Sequence, residues 1–137
     1  IIPWSASRSI SKWQKDSRDK WESAAFASAK QAKRFIIPKI GEEVDIREFL
    51  NKKIGSFAVI VLHESGGVKL SKIISEKMSD LDEIVLVIGP EGGITQDELS
   101  LFEKSGARVA QMGEAIFRSA HAGGFSLAAI STLLGRW

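Results

Sequence analysis

The chain has 137 residues, 44% of them hydrophobic and 26% charged, a composition typical of one globular domain with a real core. It contains no cysteine and only two histidines, which excludes thiolate metal sites and argues against a zinc centre. The sequence has no apolar run long enough for a membrane span and no signal-peptide pattern, so we expect a cytoplasmic protein.

Charge is distributed unevenly along the chain. Residues 1–40 contain nine basic and three acidic residues, whereas residues 41–137 contain ten and fourteen. A basic segment joined to an acidic remainder is typical of a protein that faces a polyanion, and a solvated helix face gives the same pattern. Charge alone therefore leaves open whether the first third of the chain binds nucleic acid.

The first predicted helix covers residues 16–34. Small and aromatic side chains at helical spacing predict its buried stripe: Trp21, Ala25, Ser28, Ala29 and Ala32. Basic side chains beside the tryptophans are suited to bind RNA through phosphates and stacking, and the alternative is that the tryptophans anchor the core. A short strand is predicted at residues 35–38, where proline ends it.

The next predicted helix covers residues 46–53, with Asp45 as its N-cap and Gly55 after its end. Its apolar residues Phe49 and Leu50 are expected to point inward. This helix leads into the first of two strongly apolar segments.

Two apolar runs rich in β-branched residues, 57–62 and 84–88, predict the central strands. Because every position in them is apolar, both faces of the sheet should be covered, as in a parallel sheet between helices. A helix at residues 70–78 and a turn at residues 79–82 are predicted to connect these two strands.

The second of these strands must stop at Gly89-Pro90, because proline has no N–H to give to a sheet ladder. Thr95 and Glu98 have the spacing of a capping box, which predicts a helix at residues 95–105. Ligands of open α/β sheets bind at the carboxyl ends of strands, so the glycine-rich loop between strand and helix is a candidate binding site.

A short strand at residues 108–111 and a loop at residues 112–118 are predicted to precede the last helix, residues 119–134. The many small residues of this helix allow another backbone to approach closely. We expect it to pack on the sheet, on a second subunit, or on both. The sequence contains neither a phosphate-binding P-loop nor a dinucleotide fingerprint, and its His-Glu-Ser-Gly-Gly segment lacks the leading glycine of a nucleophile elbow.

Two motifs about twenty residues apart stand out. The first is Leu86-Val87-Ile88-Gly89-Pro90-Glu91-Gly92-Gly93, followed by a helix with Glu98, and the second is Met112-Gly113-x-x-Ile116-Phe117-Arg118. Upstream, a further signature is matched by Arg8-Ser9, Lys12-Trp13, Gln31, Arg34 and Ile37-Pro38. Over nearly its whole length the chain thus resembles the RsmE-type 16S rRNA (uracil-N3) methyltransferases.

The resemblance implies a SPOUT fold, an α/β domain with a mostly parallel sheet flanked by helices. In this fold the C-terminal part threads a trefoil knot, and the domain works as a homodimer. The resemblance also implies that residues 1–137 are the methyltransferase domain without the N-terminal PUA-like domain of full-length members. Whether a first strand and helix are missing as well is left open.

The resemblance implies S-adenosylmethionine as the cofactor, with no metal and no membrane partner, and a uridine of 16S rRNA in the small ribosomal subunit as the substrate. Carried onto this chain, the cofactor-binding residues are Leu62, His63, Glu64, Ile88, Gly89, Pro90, Glu91, Gly92, Gly93, Met112, Gly113, Glu114, Ala115, Ile116 and Phe117. The residues expected to contact RNA phosphates are Arg8, Lys12, Arg18, Lys20 and Arg34.

Catalysis on such a substrate needs stabilisation of negative charge. Uracil N3 becomes nucleophilic when it loses its proton, and the charge then spreads onto the flanking carbonyl oxygens. A guanidinium would stabilise that charge, so Arg118 is the expected catalytic residue, with a surface salt bridge as its alternative role. Glu91 is expected to fix its turn by accepting backbone N–H groups, or else to orient a substrate group.

Two segments depart from the family pattern: residues 27–30, before Gln31, lack the acid that the family has there, and the segment after Arg118 differs as well. Ala120 and His121 stand where the family has glutamate and threonine, and Ala120 cannot act as a base or a hydrogen-bond partner. The sequence therefore keeps three alternatives open: a SPOUT methyltransferase of other specificity, such as ribose 2′-O; a non-catalytic RNA-binding or ribosome-assembly module; and a nucleotide-binding domain of unrelated fold.

Overall fold

The computed structural model describes residues 1–52, 57–65, 67–74, 78 and 80–136. The predicted helix end at Gly55, and part of the helix predicted at residues 70–78, lie outside the described residues. Within the described segments, none of the helices is both long and apolar enough to cross a bilayer.

The centre of the fold is a parallel sheet of three strands, β1 (Phe57–Leu62), β2 (Glu83–Ile88) and β3 (Arg108–Ala110), in the order β2-β1-β3. The register pairs Leu62 with Ile88 on one side and with Ala110 on the other. The carboxyl ends of all three strands therefore lie side by side at one edge, as parallel strands with apolar runs require.

Helices cover both faces of this sheet, as the uniformly apolar strands predict. One face carries α2 (Ile46–Lys52) and α4 (Gln96–Lys104), whose side chains pack with Val59 and Val61. The other face carries α3 (Leu70–Ile73) and α5 (Ser119–Leu133), packed around Ile60.

The chain crosses β3 after leaving β1. His63 N–H donates to the carbonyl of Ala110 at 3.0 Å, on the β1 side of β3. On the opposite side, Gln111 N–H donates to Val68 O and Leu70 N–H donates to Gln111 O, both at 2.8 Å. The end of β3 thus lies between the two ends of the segment that connects residues 63 and 68.

The first helix, α1 (Ser17–Gln31), is shorter and more exposed than expected. It ends in a Schellman motif, in which Lys33 has φ +52° and Arg34 N–H donates to Ala29 O at 2.9 Å. The predicted buried stripe is wrong: Ala29 is its one buried member, and 44% of Trp21 is exposed. Side-chain spacing alone does not bring a packing partner to the helix.

The strand predicted at residues 35–38 is absent, and Phe35 and Ile36 are almost fully exposed. An apolar run becomes a strand only where a sheet edge meets its backbone, and no strand of the described residues pairs with this segment. The helix predicted at residues 70–78 ends at Ile73, because the backbone of Ile74 is already extended. The predicted cap of α2 is confirmed, since Glu48 N–H donates to Asp45 Oδ1 at 2.7 Å.

Candidate functional site

A cavity of about 100 Å³ opens where the three strands end. It is lined by the residues that follow each strand and by the start of α5: Leu62, His63, Glu64, Ile88, Gly89, Gln111, Met112, Gly113, Ala115, Ile116, Phe117, Ser119 and Ala122. Ten of these residues are among the fifteen that the sequence predicts for the cofactor. The structure therefore brings the three predicted loops together.

Some predicted residues lie outside this cavity, and others that line it were missed. Pro90, Glu114 and residues 91–93 do not line it. Gln111 directly follows β3, as His63 follows β1. Because ligands of such sheets bind at the carboxyl ends of strands, the sequence could have predicted this residue. Ser119 and Ala122 reach the cavity from the first turn of α5, which only the packing of that helix decides.

The backbone of residues 112–117 is available to a ligand. Among the described residues, no backbone N–H or C=O of this segment bonds to another group of the protein. Polar backbone groups without partners are stable only where solvent or a ligand can reach them. A Cβ added to Gly113 would meet no atom within 4 Å, so the cavity is open at this position.

The glycine-rich turn is closed by its own backbone. Gly93 N–H donates to Pro90 O at 2.9 Å, and Gly93 has φ +76°, a conformation that favours glycine. A Cβ on Gly89 would lie 2.7 Å from the side chain of Ile94. The predicted anchoring role of Glu91 is wrong, because its side chain is exposed and accepts no hydrogen bond from the described residues.

Glu98 is a buried carboxylate bound by four donors. Its Oε1 accepts from Ser7 N–H at 2.7 Å and Ser7 Oγ–H at 2.9 Å, and its Oε2 accepts from Thr95 N–H and Oγ–H, both at 2.8 Å. Burial acts to raise the pKa of Glu98, but these hydrogen bonds outweigh it and hold the pKa below the ordinary value. The predicted capping box at Thr95 is confirmed.

His63 and Ser65 form a contact beside the cavity. Ser65 Oγ lies 2.7 Å from His63 Nδ1, and Ser65 N–H also donates to Nδ1 at 3.2 Å. A backbone N–H can only donate, so Nδ1 is the acceptor and the neutral ring carries its proton on Nε2. The contact fixes the orientation of the imidazole in the loop that lines the cavity.

Arg118 is the N-cap residue of α5 and is exposed. It follows Phe117, which lines the cavity, and its guanidinium makes no hydrogen bond or ion pair with the described residues. The surface salt bridge that was its alternative role is therefore absent within this part of the chain. The guanidinium is available to a bound substrate.

The five predicted phosphate contacts have different surroundings. Arg18 pairs with Glu22 and Glu42, and Lys20 pairs with Asp16 at 2.6 Å, so neighbouring carboxylates offset part of their charge. Arg8 donates to Gly92 O at 3.2 Å, within the glycine-rich turn. The remaining two, Lys12 and Arg34, are exposed.

A larger cavity of about 450 Å³ lies along α4 and the outer side of β3. Its lining includes Ser65, Gly67, Glu103 and Arg108, and none of residues 88–93 or 112–117. We assign the smaller cavity as the site because the three strand-end loops and the free backbone segment meet there.

The fold and this site define a class of protein. The same fold, a parallel sheet between helices, is found in solved methyltransferase structures. The crystal structure of Ribosomal RNA small subunit methyltransferase E from Neisseria gonorrhoeae, bound to S-adenosyl methionine, matches 100% of this chain and 54% of that chain with a TM-score of 0.78 and 24% identity. A methyltransferase of Legionella pneumophila solved with bound SAM gives a TM-score of 0.79 over 99% of this chain and 55% of its own, also at 24% identity.

The chain belongs to the RNA methyltransferase domain family, whose model matches residues 1–131. It is 28% identical to Ribosomal RNA small subunit methyltransferase E of Mycobacterium bovis over all of this chain and 54% of that protein. It is 25% identical to the Bacillus subtilis protein of the same name, over 96% of this chain and 54% of that protein. The chain therefore spans about half the length of these curated relatives. The predicted family is confirmed, and so is the predicted α/β class with a mostly parallel sheet flanked by helices.

Proposed function

We propose that this chain binds S-adenosylmethionine and methylates N3 of a uridine in 16S rRNA of the small ribosomal subunit. The observation that carries the proposal is the meeting of the three strand-end loops around one cavity, with the free backbone of residues 112–117 on its wall. The names and bound ligand of the similar proteins support the same activity.

The residues of the cavity fit this cofactor. Leu62, Ile88 and Met112 offer an apolar surface to an adenine ring, and the free backbone groups beside them can pair with its nitrogens. At about 100 Å³ the cavity is smaller than the roughly 300 Å³ of ordinary ligand sites, so it encloses part of the molecule. The exposed side chains of Ile116 and Phe117 would cover the remainder.

S-adenosylmethionine supplies a methyl group that its sulfonium centre has already activated. The protein then has to align uracil N3 and stabilise the charge that develops on the neighbouring carbonyl oxygens. Arg118 is suited to the second task, because it is exposed, follows Phe117 of the cavity wall in sequence, and has no carboxylate partner among the described residues. Arg8, Lys12 and Arg34 supply positive charge for phosphates.

The proposal includes a trefoil knot, a homodimer and a cytoplasmic location. The knot is supported by the position of the β3 end between the two ends of the segment joining residues 63 and 68. The homodimer is supported by the exposed apolar side chains of α5, Phe125, Leu127 and Leu133. The proposed substrate is ribosomal RNA, which supports the cytoplasmic location.

Calorimetric titration with S-adenosylmethionine tests the cavity assignment. The parent chain should bind, and Gly113→Val should weaken binding, because Gly113 lines the cavity and the added side chain would occupy open space there. Gly67→Val is the matched control: it also meets no protein atom within 4 Å but lies in the larger cavity, so it should bind like the parent. A parent chain that does not bind overturns the enzyme proposal and favours a non-catalytic RNA-binding module.

The methylated position tests the substrate assignment. Small ribosomal subunits lacking the modification are incubated with the chain and the cofactor, and the nucleoside products are mapped by mass. A methyl group on uracil N3 supports the proposal. A methyl group on a ribose 2′ oxygen would show a methyltransferase of other specificity.

A further inference from the structure

The N-terminal segment, residues 4–8, contacts the glycine-rich loop and the two elements that flank it. Trp4 Nε1–H donates to Ile88 O at 2.9 Å, where β2 ends. The Arg8 backbone and Cβ pack on Gly92, whose added Cβ would lie 2.9 Å from both Arg8 Cβ and Arg8 O. Ser7 binds Glu98, in the first turn of α4, through the two hydrogen bonds described above. The segment therefore contacts the end of β2, the loop itself and the first turn of α4.

Glu98 is the group that joins these parts. The side chain of this residue is 5% exposed, and no cation contacts it among the described residues. Four neutral donors, two from Ser7 and two from Thr95, bind its carboxylate instead. Ser7 and Glu98 are far apart in sequence, so local helix capping explains only the Thr95 side of this arrangement.

We propose that Glu98 is a positioning residue for the methyl-donor site: by binding Ser7, it fixes residues 4–8 against the loop that lines the cavity at Ile88 and Gly89. This inference rests on the proposed function. Glu98 does not line the cavity, and protein donors bind both of its carboxylate oxygens, so it acts through Ser7, Arg8 and Gly92. Its loss should change donor affinity more than the rate of the bound complex.

Only a carboxylate has the two acceptor oxygens that the donors around residue 98 require. Both of its oxygens face a backbone N–H, of Ser7 on one side and of Thr95 on the other. A glutamine in its place has one acceptor oxygen, and its NH₂ group would face one of those N–H donors. Glu98→Gln therefore keeps the size of the side chain and the helix while breaking one side of the contact.

The test compares Glu98→Gln, Ser7→Ala and Ser7→Thr in the full chain. In Glu98→Gln, the Kd and KM for S-adenosylmethionine should rise about tenfold, the factor for one buried hydrogen bond, with kcat little changed. Ser7→Ala, which keeps the N–H donor, should give a smaller rise, and Ser7→Thr should restore parent affinity. Val59→Ala, a core change on β1, controls for stability loss alone and should leave the Kd unchanged.

A second readout needs no cofactor. The Trp4 indole N–H should exchange slowly with solvent in the parent chain, because Ile88 O accepts from it, and faster in Glu98→Gln, followed by NMR. If the parent binds the donor while Glu98→Gln matches it in affinity and in Trp4 exchange, the positioning role is wrong and the proposed function stands. If the parent does not bind, the proposed function fails, and equal Trp4 exchange in both chains would show separately that Glu98 does not hold the segment.

Discussion

Individual glycines in the two motifs show that glycine is required for different reasons at different positions. Gly92 lies under the backbone of Arg8, too close for any Cβ, whereas Gly113 faces open space in the cavity. These two glycines belong to the two motifs of the sequence, yet one is required by packing and the other faces open space. A motif alone does not distinguish these two uses of glycine.

Gly92→Ala should destabilise the protein by about 1–3 kcal/mol, because the new methyl group overlaps Arg8 O, a backbone atom that cannot rotate away. Urea unfolding followed by circular dichroism measures the change. Gly113→Ala is the control, and its free energy of unfolding should stay within about 0.5 kcal/mol of that of the parent. Equal stabilities for the two variants would contradict the close approach of residues 4–8.

Arg118→Ala should lower kcat for methyl transfer by about 10²–10³, the loss typical when one group that stabilises developing negative charge is removed. Binding of S-adenosylmethionine should change little, because the Arg118 side chain does not line the cavity. Single-turnover methylation of small subunits gives the rate. Arg47→Ala removes an exposed arginine from α2 and serves as the control. Parent-like turnover by Arg118→Ala would remove this residue from the mechanism.

At the scale of elements, the central strands and the capped helices behave as their sequences predict, and exposed helix faces do not. β1, β2 and α4 match their predicted positions because apolar β-branched runs and a Thr–Glu capping box are local signals. The buried face predicted for α1 is mostly exposed, since burial depends on which element comes to lie beside the helix.

The exposed apolar side chains of α5 lead to a prediction about the oligomeric state. Phe125 is 52% exposed and lies at a centroid distance of 5.3 Å from Phe117, which is also exposed. An apolar group of this kind on a helix next to the site is suited to a second subunit. Phe125→Asp should therefore convert a dimer to a monomer in sedimentation velocity.

Phe35→Asp is the matched control for Phe125→Asp, because it places the same charge at a fully exposed phenylalanine away from α5. It should leave the sedimentation coefficient of the parent unchanged. A parent chain that sediments as a monomer, or a Phe125→Asp variant that remains dimeric, would show that this face of α5 is not the subunit interface.

At the scale of the whole molecule, the parallel sheet sets the position of the site. The register aligns the carboxyl ends of β1, β2 and β3, so loops separated by many residues in sequence meet around one cavity. Helices on both faces then leave this edge as the open part of the sheet. After β1 the chain crosses β3, and Val68 then bonds to Gln111. His63 and Gln111 both line the cavity.

The sequence by itself determined the central strands, the cap of α4 and the identity of most cavity residues, because these depend on neighbours within a few positions or on family motifs. Only the tertiary structure decided that Ser7 binds Glu98, that Gln111, Ser119 and Ala122 complete the cavity, and that residues 35–38 form no strand. The reason is physical: a hydrogen bond or a cavity wall between distant residues depends on how the elements pack, which local propensity does not encode.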